Sequence, residues 1–497
     1  MPRSPAQLLA HTVLPLFAGL LAACTSAPQP ATPPNMTLAE IAERNSRAWL
    51  AGDHHIHSQF SADYEPDPAN PSAPPVPKLG VDGRYPIPTN AAMARKFGLS
   101  WMVSTDHGGP QHSKLNHDVA YPELERSRRE VPEVIQFYGM EFDTPGGDHS
   151  SLIIPHTHDE RGALRDIEEK FSERDAWPLD PSRDTEPKML DALRYMSARQ
   201  APPVVIANHP SRSATEVGGY GQYDPAEFRD WSDTAPNVAI GMEGAPGHQA
   251  GALEPDGSRD PAGSRGGYRR APTLGGFDQM TARLGGFWDS MLGEGRRWLI
   301  TSTSDSHRHY TEGGSDFWPG EYSKTYVFAR RTHDDILASL RSGRVFVTTG
   351  DLISELEVIA FTSEEIAHIG DHLHARVGQE TQVTIRLRDP SAANAAGQTP
   401  SVRRVDLIIG KVSGKRADRD GDTNPTTQVA QRFTSADWEQ DGDYITMTTS
   451  LGSLDGDVYL RVRGTSTQEL EPSPDPAGED PWSDLWFYSN PIFVNVR

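Results

Sequence analysis

Short apolar runs alternate with helical patterns from about residue 37 to residue 350. Residues 90–99 have the spacing of a helix, and residues 101–104 form a continuous apolar run that predicts a strand. Further strands are predicted at 134–138, 152–154, 204–207, 238–241, 298–301 and 325–329. Apolar runs of this kind, separated by helices, are the pattern of strands buried on both faces, so this part of the chain reads as a parallel α/β sheet or barrel. Two stretches interrupt it. Residues 64–88 are dense in Pro, and residues 247–276 are dense in Gly and carry Arg265, Arg269 and Arg270; both read as long surface loops, as lids, or as disordered insertions. After residue 350 the period becomes two, at 383–388, 402–409, 444–448 and 458–463, and helical patterning largely disappears. That texture predicts an antiparallel β domain of roughly sandwich size.

Composition narrows the chemistry. The 497 residues carry Lys+Arg 47 against Asp+Glu 69, a net charge of -22, which argues against a surface that coats nucleic acid. With a single Cys there is no internal disulfide and no paired-Cys zinc or redox motif, so a metal site must draw on His, of which there are 18, together with Asp and Glu. That Cys lies at the end of an apolar segment, residues 8–23, broken only by His11, Thr12 and Pro15. The segment is too short and too interrupted to span a bilayer comfortably, and reads as an export signal. Leu21-Ala22-Ala23-Cys24 resembles a bacterial lipoprotein box, and in that family the Cys becomes the lipidated first residue. The resemblance implies a signal peptide at 1–23, a disordered tether at 24–45, and lipid anchoring through Cys24 on the periplasmic or cell-surface face of a membrane.

Residues with ligand chemistry gather where the apolar runs end. Asp53-His54-His55-Ile56-His57 places His55 and His57 two apart, on the same face of an extended chain, where both imidazoles can grip one ion. Thr105-Asp106-His107 ends a second run and Gly139-Met140-Glu141 a third. His149 precedes the next; Asn208-His209-Pro210 and Ser304-Asp305-Ser306-His307 end two more. In α/β barrels functional groups collect at the C-terminal ends of the strands, so these side chains can converge at one mouth.

In this order the motifs resemble the polymerase and histidinol phosphatase (PHP) superfamily over residues 55–350. The resemblance implies a distorted (β/α)7 TIM-like barrel at 46–350, followed by a β-sandwich at 351–497, and two or three divalent metal ions. One ion would be held by His55, His57, Glu141 and Asp305, and a second by Glu141, His149 and His209, with Glu141 bridging. A third would take His107, His307 and Asp63, although family members often carry that carboxylate one place earlier and follow it with Gly. Imidazole and carboxylate without thiol suit Zn, Mn or Fe(II), and two ions ~3.5 to 4 Å apart can share a bridging hydroxide. Asp106 reads as an orienter of a His or as a proton acceptor, and His54 as pointing away from the metals. Arg212 and Lys324 are the candidate cations for an anionic substrate, and His309 a candidate donor to the leaving group. The acidic run Asp418-Arg419-Asp420-Gly421-Asp422 lacks the Gly and Glu of a calcium loop and reads as an acidic hairpin tip.

The reading that follows is an exported metal-dependent hydrolase of small phosphomono- or phosphodiesters. The alternatives are hydrolysis of a carbamate, carboxylic ester or amide at the same metal site, and a non-catalytic surface binding protein.

Overall fold

The computed structural model describes Pro34 and residues 36–497. The expected signal segment and Cys24 lie outside the described residues. Where the tether was expected to run on to residue 45, Leu38–Asn45 is a helix. A capping box starts it: the Thr37 hydroxyl accepts from the Glu40 N–H at 3.2 Å, and the Glu40 carboxylate accepts from the Thr37 N–H at 2.7 Å. Among the described residues no helix is long and apolar enough to cross a membrane.

The chain is a mixed α/β structure built on one large sheet, with an all-β C-terminal region. The strands up to residue 350 are β1 (Ala48–Asp53), a short hairpin of β2 (Asp63–Glu65) and β3 (Val76–Lys78), β4 (Trp101–Ser104), β5 (Ile135–Asp143), β6 (His149–Ile154), β7 (Val204–Ala207), β8 (Ala239–Ala245), β9 (Leu299–Ser302), β10 (Ser323–Ala329) and β11 (Val345–Thr349). In the large sheet they follow the order β11-β10-β1-β4-β5-β6-β7-β8-β9. Pairing is parallel for β1 with β4, β4 with β5, β7 with β8 and β8 with β9, and antiparallel at both sides of β6 and between β1, β10 and β11. The sheet is therefore mixed and not parallel throughout. Residues 144–148 are all that join β5 to β6, far short of the dozen or so that a parallel crossover requires, so β6 must run back alongside β5. Close packing sets the neighbouring strands: Gly52 of β1 lies against the Trp101 indole, and a Cβ there would fall 1.9 Å from the ring. Beyond the ladders, Ile56 and Ser306 form a parallel bridge, with the His57 N–H donating to the Ser306 carbonyl at 3.0 Å. The segments that follow β1 and β9 thus meet.

After residue 350 come β12 (Glu355–Phe361), β13 (Ile366–His368), β14 (His372–Ala375), β15 (Glu380–Arg388), β16 (Arg404–Lys411), β17 (Gln428–Phe433), β18 (Glu439–Asp441), β19 (Tyr444–Ser453), β20 (Val458–Thr465), β21 (Trp486–Ser489) and β22 (Ile492–Val496). Five form a separate sheet in the order β13-β12-β15-β19-β18. The others extend the large sheet, because β21 pairs with β11. Residue 350 separates two textures of chain without separating two sheets, and Tyr459, Trp486, Tyr488 and Phe493 share one apolar core with Phe277 and Trp298.

The 247–276 stretch is partly at the surface and partly interior: residues 254–259, 261–262 and 269–270 are exposed, whereas Arg265 and residues 273–276 are buried. Arg265 is buried there and ion-paired with Asp484, and its guanidinium also donates to the Tyr322 hydroxyl at 2.5 Å. The acidic 418–422 run docks on the helix Pro225–Thr234, where Arg229 donates to the carbonyls of Arg419 at 2.8 Å and Gly421 at 2.7 Å. A third joint is fully buried. Asp289, in the helix Phe287–Gly293, accepts from Arg461 of β20 at 2.8 and 2.7 Å and from the Tyr459 hydroxyl at 3.0 Å. Removing one partner of such a pair strands the other charge in the core. Asp289→Ala should therefore cost roughly 3–5 kcal/mol in urea unfolding, and unchanged stability would show that Arg461 finds another partner.

Candidate metal centre

Most of the clustered side chains follow the end of a strand. His55 and His57 follow β1, His107 follows β4, His209 follows β7, and Asp305 and His307 follow β9. Glu141 lies within β5. His149 opens β6 instead of closing it, and because β6 runs antiparallel its start lies beside the ends of its neighbours. His209 (φ 31°) and Asp305 (φ 46°) hold the left-handed backbone region that non-glycine residues rarely adopt, as does His248 (φ 55°).

Glu141 is the common member. Its Oε1 lies 3.0 Å from His55 Nε2, 3.1 Å from His149 Nδ1 and 3.1 Å from His209 Nε2, while its Oε2 is 2.8 Å from His107 Nδ1. On the far side of His55, the Nε2 atoms of His55 and His57 are 3.0 Å apart and stand 3.1 and 3.0 Å from Asp305 Oδ1. A third group joins His57, His107 and His307, with the Nε2 atoms of the last two 3.2 Å apart. Ligand atoms on a tetrahedral ion with bonds of about 2.1 Å stand roughly 3.4 Å apart. Four of these atoms are sealed from water with no hydrogen-bond partner: Glu141 Oε2, Asp305 Oδ1, His107 Nδ1 and His149 Nδ1. Converging orphan acceptors of this kind fit a divalent cation.

Supporting groups fix the imidazoles. Glu243 lies 2.7 Å from His55 Nδ1 and accepts from the His209 backbone N–H at 2.6 Å. Asp106 accepts from the Ser58 N–H at 2.6 Å and from the Ser61 hydroxyl at 3.1 Å, and Ser61 Oγ in turn lies 2.8 Å from His57 Nδ1. Asp106 thus orients an imidazole through Ser61. His54 is turned from the cluster onto Ser151 at 3.0 Å and Thr301 at 2.8 Å. His248 holds the second oxygen of Asp305 at 2.9 Å and reaches Asp316 at 2.5 Å.

The charges are strongly coupled. Burial alone would raise the Glu141 carboxyl, but His149, His55 and His107 outweigh it and hold it well below the usual carboxylate range. Burial likewise disfavours a charged His55, yet Asp305, Glu141 and Glu243 raise it well above an ordinary imidazole. His57 goes the opposite way, lowered by burial and then by His307 and His107.

Not every sequence candidate joins the cluster. Asp63 is exposed on β2, opposite Lys78 of β3; the carboxylate beside the third group is Asp82, whose Oδ2 stands 3.6 Å from His107 Nε2 and 3.7 Å from His307 Nε2. Lys324 is buried in an ion pair with Asp351 at 2.5 Å, which makes it a structural cation. His309 is no free proton donor: its ring nitrogens face Thr311 at 2.7 Å and Glu321 at 2.9 Å, and the ring stacks on Trp318. Arg212 does flank the centre, held 2.5 Å from Asp148, a carboxylate that stands 3.8 Å from His149 and 3.9 Å from His209. Arg174, absent from the sequence reading, is held in the same way by Asp143 at 2.7 Å, and Asp143 stands 4.0 Å from His149 Nε2. Glu243 was also missed, although Gly241-Met242-Glu243 repeats the Gly139-Met140-Glu141 triplet that ends β5 chemistry on a Glu.

No family model and no curated protein matches this chain. Among solved structures it is similar to a chitin binding domain from Burkholderia pseudomallei, at 12% identity and a TM-score of 0.14, over 25% of this chain and 57% of that one. It is also similar to a beta-glucosidase from Listeria innocua in complex with glucose, at 11% identity and a TM-score of 0.15, over 29% of this chain and 16% of that one. The chain thus spans less than two thirds of either protein's length.

Zinc titration of purified variants tests the arrangement. Glu141→Ala should lose more metal than any other single ligand change, since Glu141 alone has four imidazoles within 3.1 Å, whereas Asp305 has three within 3.1 Å and a fourth at 3.4 Å. Glu243→Gln should weaken binding roughly 10- to 100-fold, the usual effect of removing a group that orients a ligand. Wild-type zinc affinity in both variants would take Glu141 out of the centre.

Proposed function

We propose that the cluster holds two or three divalent ions (Zn, Mn or Fe) and that the chain is an exported, lipid-anchored phosphoesterase of the PHP superfamily, acting on small phosphomono- or phosphodiesters. The observation that carries this reading is the convergence of four segments on one carboxylate, Glu141, through His55, His107, His149 and His209, with Asp305 beside His55 and His57 and a guanidinium, Arg212, fixed at the flank. The parallel bridge between Ile56 and Ser306, which brings the ends of β1 and β9 together, supports the distorted (β/α)7 barrel that this superfamily implies.

A pair of divalent ions, when bound, supplies an activated water and Lewis-acid stabilisation of phosphoryl oxygens. The protein's own groups do the rest. Asp148 pins Arg212 beside His149 and His209, so its free N–H groups meet a peripheral phosphoryl oxygen without a reorganisation cost. Asp143 fixes Arg174 near the other nitrogen of His149 in the same manner. Glu243 and Asp106 keep the imidazoles oriented, and His248 restrains the oxygen of Asp305 that points away from His55 and His57.

The charge on Arg212 separates phosphoryl from carbonyl chemistry. A phosphoryl transition state carries anionic charge on peripheral oxygens, whereas a carbamate or ester develops it mainly on one oxygen. Arg212→Ala should lower kcat/KM for an aryl phosphoester roughly 10²-fold or more, the scale of losing one preorganised donor, and for a carbamate or ester several-fold at most. Equal small losses on both, with the carbonyl substrate turned over faster, would replace this reading with carbamate or ester hydrolysis. The anchoring half has its own test. Cys24→Ser should release an active enzyme into the soluble fraction, and full partitioning with membranes would refute lipidation at that atom.

A further inference from the structure

We infer that the third ion takes its carboxylate from Asp82, on the loop that follows the β2–β3 hairpin, and not from Asp63; the inference rests on the metal-centre reading above. The three outer ligand atoms stand at 3.2 Å (His107 Nε2 to His307 Nε2), 3.6 Å (Asp82 Oδ2 to His107 Nε2) and 3.7 Å (Asp82 Oδ2 to His307 Nε2). All three separations bracket the roughly 3.4 Å edge of a tetrahedral site with imidazole and carboxylate ligands. An acidic residue with no other fixed partner is not placed so by accident of a free loop, because the backbone on both sides of Asp82 is tied down. The Gly80 N–H donates to the Gln59 carbonyl at 2.9 Å, the Gly83 N–H to the Ser61 carbonyl at 3.2 Å, and the Arg84 N–H to the His307 carbonyl at 3.1 Å. Gly83 is required for that seat, since a Cβ there would fall 1.9 Å from the Ser58 carbonyl oxygen. The segment carrying Asp82 is therefore bonded directly to one ligand residue, His307, and to Ser61, which supports another, His57.

Asp63 has the opposite surroundings. It is exposed in β2 and paired in register with Lys78, and so belongs to the hairpin and not to the cluster. The site is also asymmetric in burial. His57 is sealed, His107 and His307 are partly exposed, and Asp82 is 40% exposed, so a divalent cation here would be the most accessible of the set and the first to leave. Its binding would fasten the loop to the ends of β4 and β9. The apolar side chains of Leu79 and Val81, exposed on the same loop, would be fixed with it.

Metal counting and hydrogen exchange on the full chain, with zinc as the probe, decide the matter without any substrate. Wild-type protein should bind three zinc ions, one of them removed first by mild chelation, and amide exchange in residues 76–84 should quicken as that ion leaves. Asp82→Asn, an isosteric change at a half-exposed site, should bind two, with exchange in 76–84 no longer responding to zinc. Asp63→Asn should bind three. Three ions in Asp82→Asn, loss of one in Asp63→Asn, or only two in wild type would overturn the inference and leave the Glu141-centred pair standing. No zinc in wild type, with Glu141→Ala unchanged, would overturn the metal-centre reading and the inference together.

Discussion

A carboxylate sealed from water among four imidazoles is the constraint on which the rest of the structure depends. Glu141 is fully buried, and an isolated charge there would cost far more than a domain's net stability. The chain answers by surrounding it: His55, His107, His149 and His209 all lie within 3.1 Å of its oxygens, and the Asn208 amide donates to it at 3.0 Å. Each imidazole then needs its own restraint, which is why a shell of buried acids and hydroxyls (Glu243, Asp106, Ser61) stands behind the ligands. A cation at the centre satisfies more of these lone pairs than protons shared among neighbours.

The fold exists in the form that meets this demand. Four parallel pairings deliver strand ends to one edge, and the short β5–β6 connection turns β6 round so that its first residue, His149, reaches the same edge. The all-β region is not an appendage to this sheet. β21 continues it, the buried Arg265 ties the 247–276 stretch to Asp484, and Asp289 with Arg461 forms a further joint.

Much of this was legible in the residues. Unbroken apolar runs marked the large sheet's strands, period-two alternation marked the β-rich region, and strand-end His, Asp and Glu marked most of the cluster. What was not legible depended on non-local geometry. Direction of pairing follows from loop length, and the residues 144–148 connection carried that information unread. Asp63 had the expected spacing from His55, but the hairpin holds it outward, while Asp82, farther along, is brought in by backbone bonds that no spacing encodes. His309 and Lys324 carried suitable chemistry in suitable places and are consumed by Glu321 and Asp351. Glu243 and His248 contact His55, His209 and Asp305 without lying at the centre of the cluster, so nothing local distinguishes them from ordinary polar residues, except for the repeated Gly-Met-Glu triplet.

The central claim, that Glu141 sits between ions, has a direct test in anomalous diffraction from crystals grown with zinc, with data collected on both sides of the zinc absorption edge. The account predicts two strong peaks roughly 3.5–4 Å apart, one toward Asp305 with His55 and His57 and the other toward His149 and His209, with Glu141 between them. Fully ordered side chains at these positions with no anomalous peak among them, at zinc concentrations that load other sites on the protein, would contradict it.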